Sequence, residues 1–137
     1  MALFYADASA LVKLVLDEPE SDPLRAFLAS ADLVSCDLVV TEVPRAIRRA
    51  AARDPDLLLD VLMARAGNML ATVALLPLDR TVLLAAGAFA EPALRALDAI
   101  HIAAAAYVSP TDGFVSYDER QAAAARLAGL RTVSPGV

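Results

Sequence analysis

The sequence predicts an α/β fold, a three-layer α/β/α arrangement with a central, mostly parallel sheet. Short apolar runs alternate with longer helical segments along the chain, which is the pattern of repeated βαβ units. Hydrophobic residues make up 58% of the 137 residues and charged residues 21%, a composition typical of a globular protein with a large core. No repeat or linker divides the chain, and its length suits one domain, so we assign residues 1–137 to a single domain.

Five short apolar runs are predicted to be strands because each ends at a polar or turn residue. The runs are 3–6, 33–36, 72–76, 113–116 and 131–133. Asp7 follows the first strand directly, and Asp118 lies just after the fourth. Since ligands bind at the carboxyl ends of strands in parallel sheets, these two carboxylates are expected at a binding edge.

Capping residues, prolines and glycines set the limits of the predicted helices. The helices are expected over 7–16, 21–30, 37–53, 54–66, 79–89, 92–107 and 118–127. Gly67 is expected to end the fourth helix, because glycine is favoured just past a helix end. Pro44 is expected to kink the third helix unless it lies in the first turn, because it cannot donate a backbone hydrogen bond.

The rarity of two residue types excludes several kinds of chemistry. Cys36 is the only cysteine and His101 the only histidine. An intrachain disulfide, a Cys/His zinc site and a two-histidine acid–base nuclease are therefore excluded. Any metal must be bound through oxygen atoms, which suits Mg²⁺, with Mn²⁺ as a possible substitute.

Charge and hydropathy bound the partners of the protein. A net charge of −5 argues against binding nucleic acid through nonspecific attraction to the phosphate backbone. A nuclease is compatible with this charge only if a metal ion and a local arginine patch contact the phosphates. The apolar runs are too short to cross a bilayer, and no signal-peptide pattern opens the chain, so we expect a soluble, cytoplasmic protein.

Four carboxylates lie in apolar surroundings at strand ends or on helices: Asp7, Glu42, Asp98 and Asp118. Asp7 and Asp118 could simply be helix N-caps, Glu42 a surface residue and Asp98 part of a solvent-facing stripe. Asp98 is the most informative, because the segment 92–108 is apolar almost all round. Unpaired carboxylates are costly in such surroundings. A divalent cation would keep the four ionised together, which predicts a metal-dependent enzyme.

Two further groups of residues could support such a site. The hydroxyl of Ser9 can bond a neighbouring carboxylate or a water bound to the metal. Arg45, Arg48 and Arg49 follow Glu42 at helical spacing. They form either a solvated helix face or a phosphate-guiding edge beside the metal, and the second interpretation predicts RNA binding.

Four segments of the chain together resemble PIN-domain ribonucleases, specifically the VapC-type toxins of bacterial toxin–antitoxin pairs. The segments are Tyr5-Ala6-Asp7-Ala8-Ser9, Thr41-Glu42, Leu97-Asp98-Ala99-Ile100-His101 and Ser116-Tyr117-Asp118-Glu119-Arg120. Their order and spacing match the family over the whole chain. The resemblance implies a Mg²⁺ site formed by Asp7, Glu42, Asp98 and Asp118, with Ser9 and Ser116 as polar support. His101 lies in one of the matching segments, and we interpret it as a structural residue packed or hydrogen-bonded near Asp98.

The same resemblance implies an activity and two partners. The activity is Mg²⁺-dependent endoribonuclease cleavage, in which an activated water attacks a phosphodiester and leaves 5′-phosphate and 3′-hydroxyl ends. The partners are a cognate VapB-type antitoxin and a second copy of the chain in a homodimer. The helical segments 23–30 and 55–66 are the candidate dimer surfaces.

Other α/β functions fit the residues less well. A receiver-like phosphorylation site needs a lysine late in the chain, but the only lysine is Lys13. A phosphatase of the Asp-x-Asp type needs a second carboxylate where this chain has Ser9. A non-catalytic PIN-fold module that binds protein partners remains as the alternative function.

Overall fold

The computed structural model describes all 137 residues as a five-stranded sheet with seven helices. The strands are β1 (Leu3–Ala6), β2 (Asp32–Cys36), β3 (Ala74–Leu76), β4 (Gly113–Val115) and β5 (Thr132–Val133). The helices are α1 (Ala8–Val15), α2 (Ser21–Leu28), α3 (Val39–Arg53), α4 (Leu59–Leu70), α5 (Arg80–Gly87), α6 (Ala96–Tyr107) and α7 (Glu119–Leu127). None of these helices has the length and apolar character that crossing a membrane requires.

All strand pairs are parallel, and the strand order is β3-β2-β1-β4-β5. β1 lies at the centre, between β2 and β4, with Tyr5 opposite Val34 on one side and Phe114 on the other. The strand order reverses at β1, and a crevice opens between neighbouring strand ends at such a point. The carboxyl ends of β1 and β4 therefore form the edge where a ligand site is expected.

The sheet is covered on both faces, because successive residues of each strand point to opposite sides. On β1, Phe4 and Ala6 belong to one hydrophobic core, which packs against α1, α2, α3 and α4. Tyr5 belongs to a second core, which packs against α5, α6 and α7. The predicted α/β/α sandwich is thereby confirmed, and the sheet is wholly parallel.

The fourth helix differs from its prediction at both ends. The residues after Asp54 form a turn instead of a helix, and Asp54 Oδ1 accepts the N–H of Asp56 at 3.0 Å. The helix begins at Leu59 and continues through Gly67 to Leu70. Gly67 does not end it, because Met69 and Leu70 pack against the core beyond that glycine.

The sixth helix begins at Ala96, four residues later than predicted. Arg95 is extended at its N-cap, and the preceding turn is held by the Leu94 N–H, which donates to the Glu91 carbonyl at 3.2 Å. This later start changes the position of Asp98. It lies in the first turn of α6 and not in the middle of a buried helix.

Pro44 lies in the second turn of α3, and the helix continues past it to Arg53. Pro44 does not interrupt the first turn of the helix, because the N–H of Glu42 donates to the Leu38 carbonyl at 2.9 Å. Glu42 therefore stays in the first turn of α3.

Candidate active site

The four predicted carboxylates line one cleft of about 640 Å³ beside the ends of β1 and β4. Each lies at the N-terminal end of a different helix. Asp7 and Asp118 are the N-caps of α1 and α7, and their side chains accept backbone N–H groups of those helices. Glu42 and Asp98 lie in the first turns of α3 and α6. The fold thus brings together residues that are far apart in the sequence.

Asp7 is the most buried of the four, with 1% of its surface exposed. Its Oδ1 atom accepts the Ser9 hydroxyl at 2.6 Å and the Ala10 N–H at 3.1 Å. Its Oδ2 atom accepts the Ser116 hydroxyl at 2.5 Å. Burial raises the pKa of Asp7 above its ordinary value, although the two serine hydroxyls act against the rise. Ser9 and Ser116 therefore lie where polar support for Asp7 was predicted.

Asp98 and Asp118 interact through their charges. Burial, followed by the negative charge of Asp118, raises the pKa of Asp98 above its ordinary value. Asp118 Oδ1 accepts the backbone N–H of Arg120 at 2.9 Å and that of Gln121 at 3.2 Å. A positive ion placed between the two carboxylates would relieve their repulsion.

Glu42 is held by His101. The Nε2 atom of the imidazole donates to Glu42 Oε1 at 2.6 Å, and Nδ1 is hydrogen-bonded to the Tyr5 hydroxyl at 2.8 Å. Burial alone would lower the pKa of His101, but hydrogen bonds with Cys36 and Glu42 raise the pKa to about 10. His101 is thus a buried residue of the helix that carries Asp98, and its ring is hydrogen-bonded to Glu42 and Tyr5.

Gln121 is a cleft residue that the sequence interpretation missed. It lies on α7 three positions after Asp118, and 4% of its surface is exposed. When the amide nitrogen is turned toward the carboxylates, it donates to Asp7 Oδ2 at 3.1 Å and to Asp98 Oδ1 at 3.2 Å. In the opposite orientation the nitrogen donates to the Asp98 carbonyl at 3.4 Å and the amide oxygen faces acceptors only. The two shorter bonds to the carboxylates therefore favour the first orientation. A glutamine three residues after an N-cap aspartate resembles a capping box, and that spacing was the available signal.

Basic side chains form part of the wall of the cleft. Arg45 and Arg49 of α3 line it, whereas Arg48 does not. Lys13 also lines the cleft, and its Nζ atom lies 3.1 Å from Glu20 Oε2 and 5.0 Å from the centre of the Tyr117 ring. Positively charged side chains therefore line the same cleft as the carboxylates, an arrangement that suits a phosphate-bearing ligand.

The donor set of the cleft fits a hard divalent cation, because carboxylate and hydroxyl oxygens are the ligands that Mg²⁺ and Mn²⁺ prefer. Burial raises the pKa of Asp7, and burial together with the charges of Asp118 and Glu42 raises the pKa of Asp98, so the ionised forms of both are disfavoured. In this conformation no three His, Cys, Asp or Glu side chains are grouped closely enough to hold an ion. An Mg²⁺ ion keeps several of its waters, so it would need only one or two of these carboxylates as direct ligands.

Comparison with known proteins identifies the family. The PIN-domain model matches residues 4–127. Ribonuclease VapC46 of Mycobacterium tuberculosis is 39% identical over 140 residues, covering 98% of this chain and 99% of the relative. The chain belongs to the VapC family of PIN-domain proteins. Ribonuclease VapC47 of the same species is 36% identical over 140 residues, covering 98% of each chain.

Solved structures support the PIN fold. The crystal structure of Mycobacterium tuberculosis VapC20, described as a Sarcin-Ricin loop cleaving toxin, superimposes with a TM-score of 0.72 at 16% identity. The match covers 96% of this PIN-domain chain and 99% of VapC20. A protein of Pyrobaculum aerophilum superimposes with a TM-score of 0.61 at 21% identity, covering 89% of this chain and 78% of that protein. The resemblance that the sequence indicated is therefore confirmed for family and fold.

Proposed function

We propose that this VapC-family protein is a metal-dependent endoribonuclease that acts as the toxin of a toxin–antitoxin pair. The observation that carries the proposal is the convergence of Asp7, Glu42, Asp98 and Asp118 in one cleft. The ribonuclease names of its full-length relatives agree with this activity. The proposed substrate is RNA, and the proposed cation is Mg²⁺, with Mn²⁺ as a substitute.

In this proposal the carboxylates have separate tasks. Asp7, Asp98 and Asp118 hold the cation, and Glu42 contacts it directly or orients the attacking water. When bound, a divalent cation supplies an activated water for in-line attack on the phosphodiester and stabilises the developing charge. Ser9 and Ser116 fix the Asp7 carboxylate through the two hydroxyl bonds described above. Cleavage would leave 5′-phosphate and 3′-hydroxyl ends.

The proposed partners follow from the same family assignment. A VapB-type antitoxin would bind the toxin and block the cleft, and the toxin itself would form a homodimer in the cytoplasm. A small DNA-binding protein encoded next to this chain, which copurifies with it and suppresses cleavage, is the expected antitoxin.

The proposal is tested by removing one carboxylate at a time. Asp7→Asn and Asp98→Asn are each expected to lower Mg²⁺-dependent RNA cleavage at least 100-fold, because each removes a ligand charge from the cation site. Asp60→Asn is the matched control, since Asp60 is an exposed aspartate of α4 outside the cleft. Cleavage is measured on a mixed RNA substrate across a Mg²⁺ series.

Metal binding is measured separately by thermal shift, because a ligand that binds only the folded protein raises its melting temperature. Wild-type protein and Asp60→Asn are expected to be stabilised by Mg²⁺, and the two cleft variants much less. Full cleavage by both cleft variants would contradict the site assignment. A wild-type protein that neither cleaves RNA nor responds to Mg²⁺ would favour the non-catalytic protein-binding module.

A further inference from the structure

The hydrogen bonds around Asp7 leave its carboxylate without a free acceptor position. An ionised carboxylate offers about four lone-pair positions on its two oxygens. Ser9, Ala10 and Ser116 use three of them. The amide nitrogen of Gln121 uses the fourth, at 3.1 Å from Oδ2. A cation can therefore bind Asp7 only if one of these donors leaves.

Gln121 is the donor best able to leave. The Ala10 N–H belongs to the backbone of α1, and its bond caps that helix. The hydroxyls of Ser9 and Ser116 lie closer to Asp7 than the amide does, at 2.6 and 2.5 Å. The amide of Gln121 lies at the end of a long side chain with rotatable bonds, so it can swing away while the backbone stays in place.

The position of the amide nitrogen also suits an exchange with a cation. It bridges Asp7 Oδ2 and Asp98 Oδ1, with distances of 3.1 and 3.2 Å. A divalent cation would be held by the same kind of carboxylate oxygens that the amide now contacts. The amide satisfies both carboxylates with its two N–H groups but carries no charge of its own.

We infer that Gln121 competes with the divalent cation for Asp7 and Asp98 and thereby lowers the affinity of the site. The amide holds the two carboxylates in the metal-free protein and swings out when the cation binds. The inference rests on the proposed function only for the cation site itself. Gln121 is the only glutamine of the chain.

The size of the effect follows from population arithmetic. If the conformer with the amide turned away makes up about a tenth of the metal-free protein, the apparent affinity for the cation is about tenfold below its intrinsic value. Removing the amide is expected to raise the apparent affinity for the cation about tenfold, back to its intrinsic value. A residue that only supported the site would show the opposite sign, since losing outer support typically weakens metal binding 10- to 100-fold.

The test is a titration of the full chain with Mn²⁺ by calorimetry, followed by Mg²⁺ thermal shift. Gln121→Met keeps the length of the side chain and removes both donors, and it is expected to lower the Kd about tenfold. Gln121→Leu is the second apolar variant in case the first folds poorly. Gln121→Lys places a fixed positive charge between the carboxylates and is expected to raise the Kd at least tenfold. Ala123→Met, at an exposed position of the same helix, is the control.

A Kd for Mn²⁺ that falls in the apolar variants and rises in Gln121→Lys supports the inference. A Kd that rises or stays constant in both apolar variants overturns it while the cation site stands. Wild-type protein that binds neither ion at millimolar concentration overturns the cation site and this inference together.

Discussion

At the level of single residues, His101 connects the cleft to the core of the protein. Its ring is buried, with one nitrogen bonded to Glu42 and the other to the Tyr5 hydroxyl. A buried imidazolium is costly unless both of its N–H groups have partners. The nearby carboxylate supplies the opposite charge, so the pair fixes Glu42 in the cleft and gives the stability of the fold a dependence on pH.

The sign of that dependence follows from the two pKa values. Folding raises the pKa of His101 from 6.5 to about 10. The stability that the raised pKa contributes is therefore full below about pH 6.5 and is lost as the pH rises through about 10. His101→Gln is expected to lower the free energy of unfolding at pH 6 by about 2 kcal/mol, the range of a hydrogen bond between charged groups. The difference from wild type should shrink toward pH 10 in urea unfolding.

A companion variant separates the charge effect from packing. Glu42→Gln removes the carboxylate that favours the protonated ring, so the loss of stability should move to lower pH. If His101→Gln lowers the free energy of unfolding equally at pH 6 and pH 10, the folded protein holds a neutral imidazole at both pH values.

The sequence predicts candidate site residues when the residue type alone signals a function, as a carboxylate in an apolar segment does. Asp7, Asp98 and Asp118 were predicted because carboxylates in apolar segments are costly and therefore conspicuous, and all three line the cleft. Gln121 was not found, because an uncharged polar residue on a helix carries no such cost in the sequence. Only the packing of α7 beside α6 brings its amide close to Asp7 and Asp98.

At the level of elements, four helices direct their N-terminal ends at the cleft. The partial positive charge of a helix N-terminus stabilises a nearby carboxylate and attracts phosphate. Asp98 belongs to this set only because α6 begins at Ala96. The sequence could not indicate that start, because Pro92 is itself a favourable first residue of a helix. Strand positions were predicted more closely, since apolar runs of limited length leave fewer alternatives.

The helix α3 carries two arginines to the cleft, and they should contribute to RNA binding. Arg45→Glu and Arg49→Glu are each expected to reduce the salt dependence of RNA affinity by about 0.7 in the log–log slope, the value for one phosphate contact with a single strand. Arg48 lies outside the cleft lining, so Arg48→Glu should have a smaller effect.

Affinity for a short RNA is measured by fluorescence anisotropy between roughly 50 and 200 mM salt, where affinity that depends on phosphate contacts falls steeply. Arg80→Glu serves as the control, because this exposed arginine opens α5 away from the cleft. Equal slopes for all four variants and wild type would remove the arginines from the RNA interface.

At the level of the whole molecule, the two cores do not use all of the large apolar side chains. Leu58, at the N-cap of α4, is 67% exposed, and Val61 in its first turn is 50% exposed. Both fall within the segment 55–66 that the sequence indicated as a dimer surface. Large apolar side chains left outside the cores favour an interface with another copy of the chain.

We therefore expect the wild-type protein to sediment as a dimer at micromolar concentration. Replacing Leu58 and Val61 together by serine should raise the dimer Kd at least tenfold, because buried apolar anchors commonly contribute more than about 1 kcal/mol each. Leu127→Ser is the matched control, since Leu127 is 82% exposed on α7, a helix that packs on the opposite face of the sheet. Sedimentation equilibrium over a hundredfold range of protein concentration measures all three proteins. A monomeric wild type contradicts the dimer, whereas a dimer weakened equally by Leu127→Ser moves the interface away from α4.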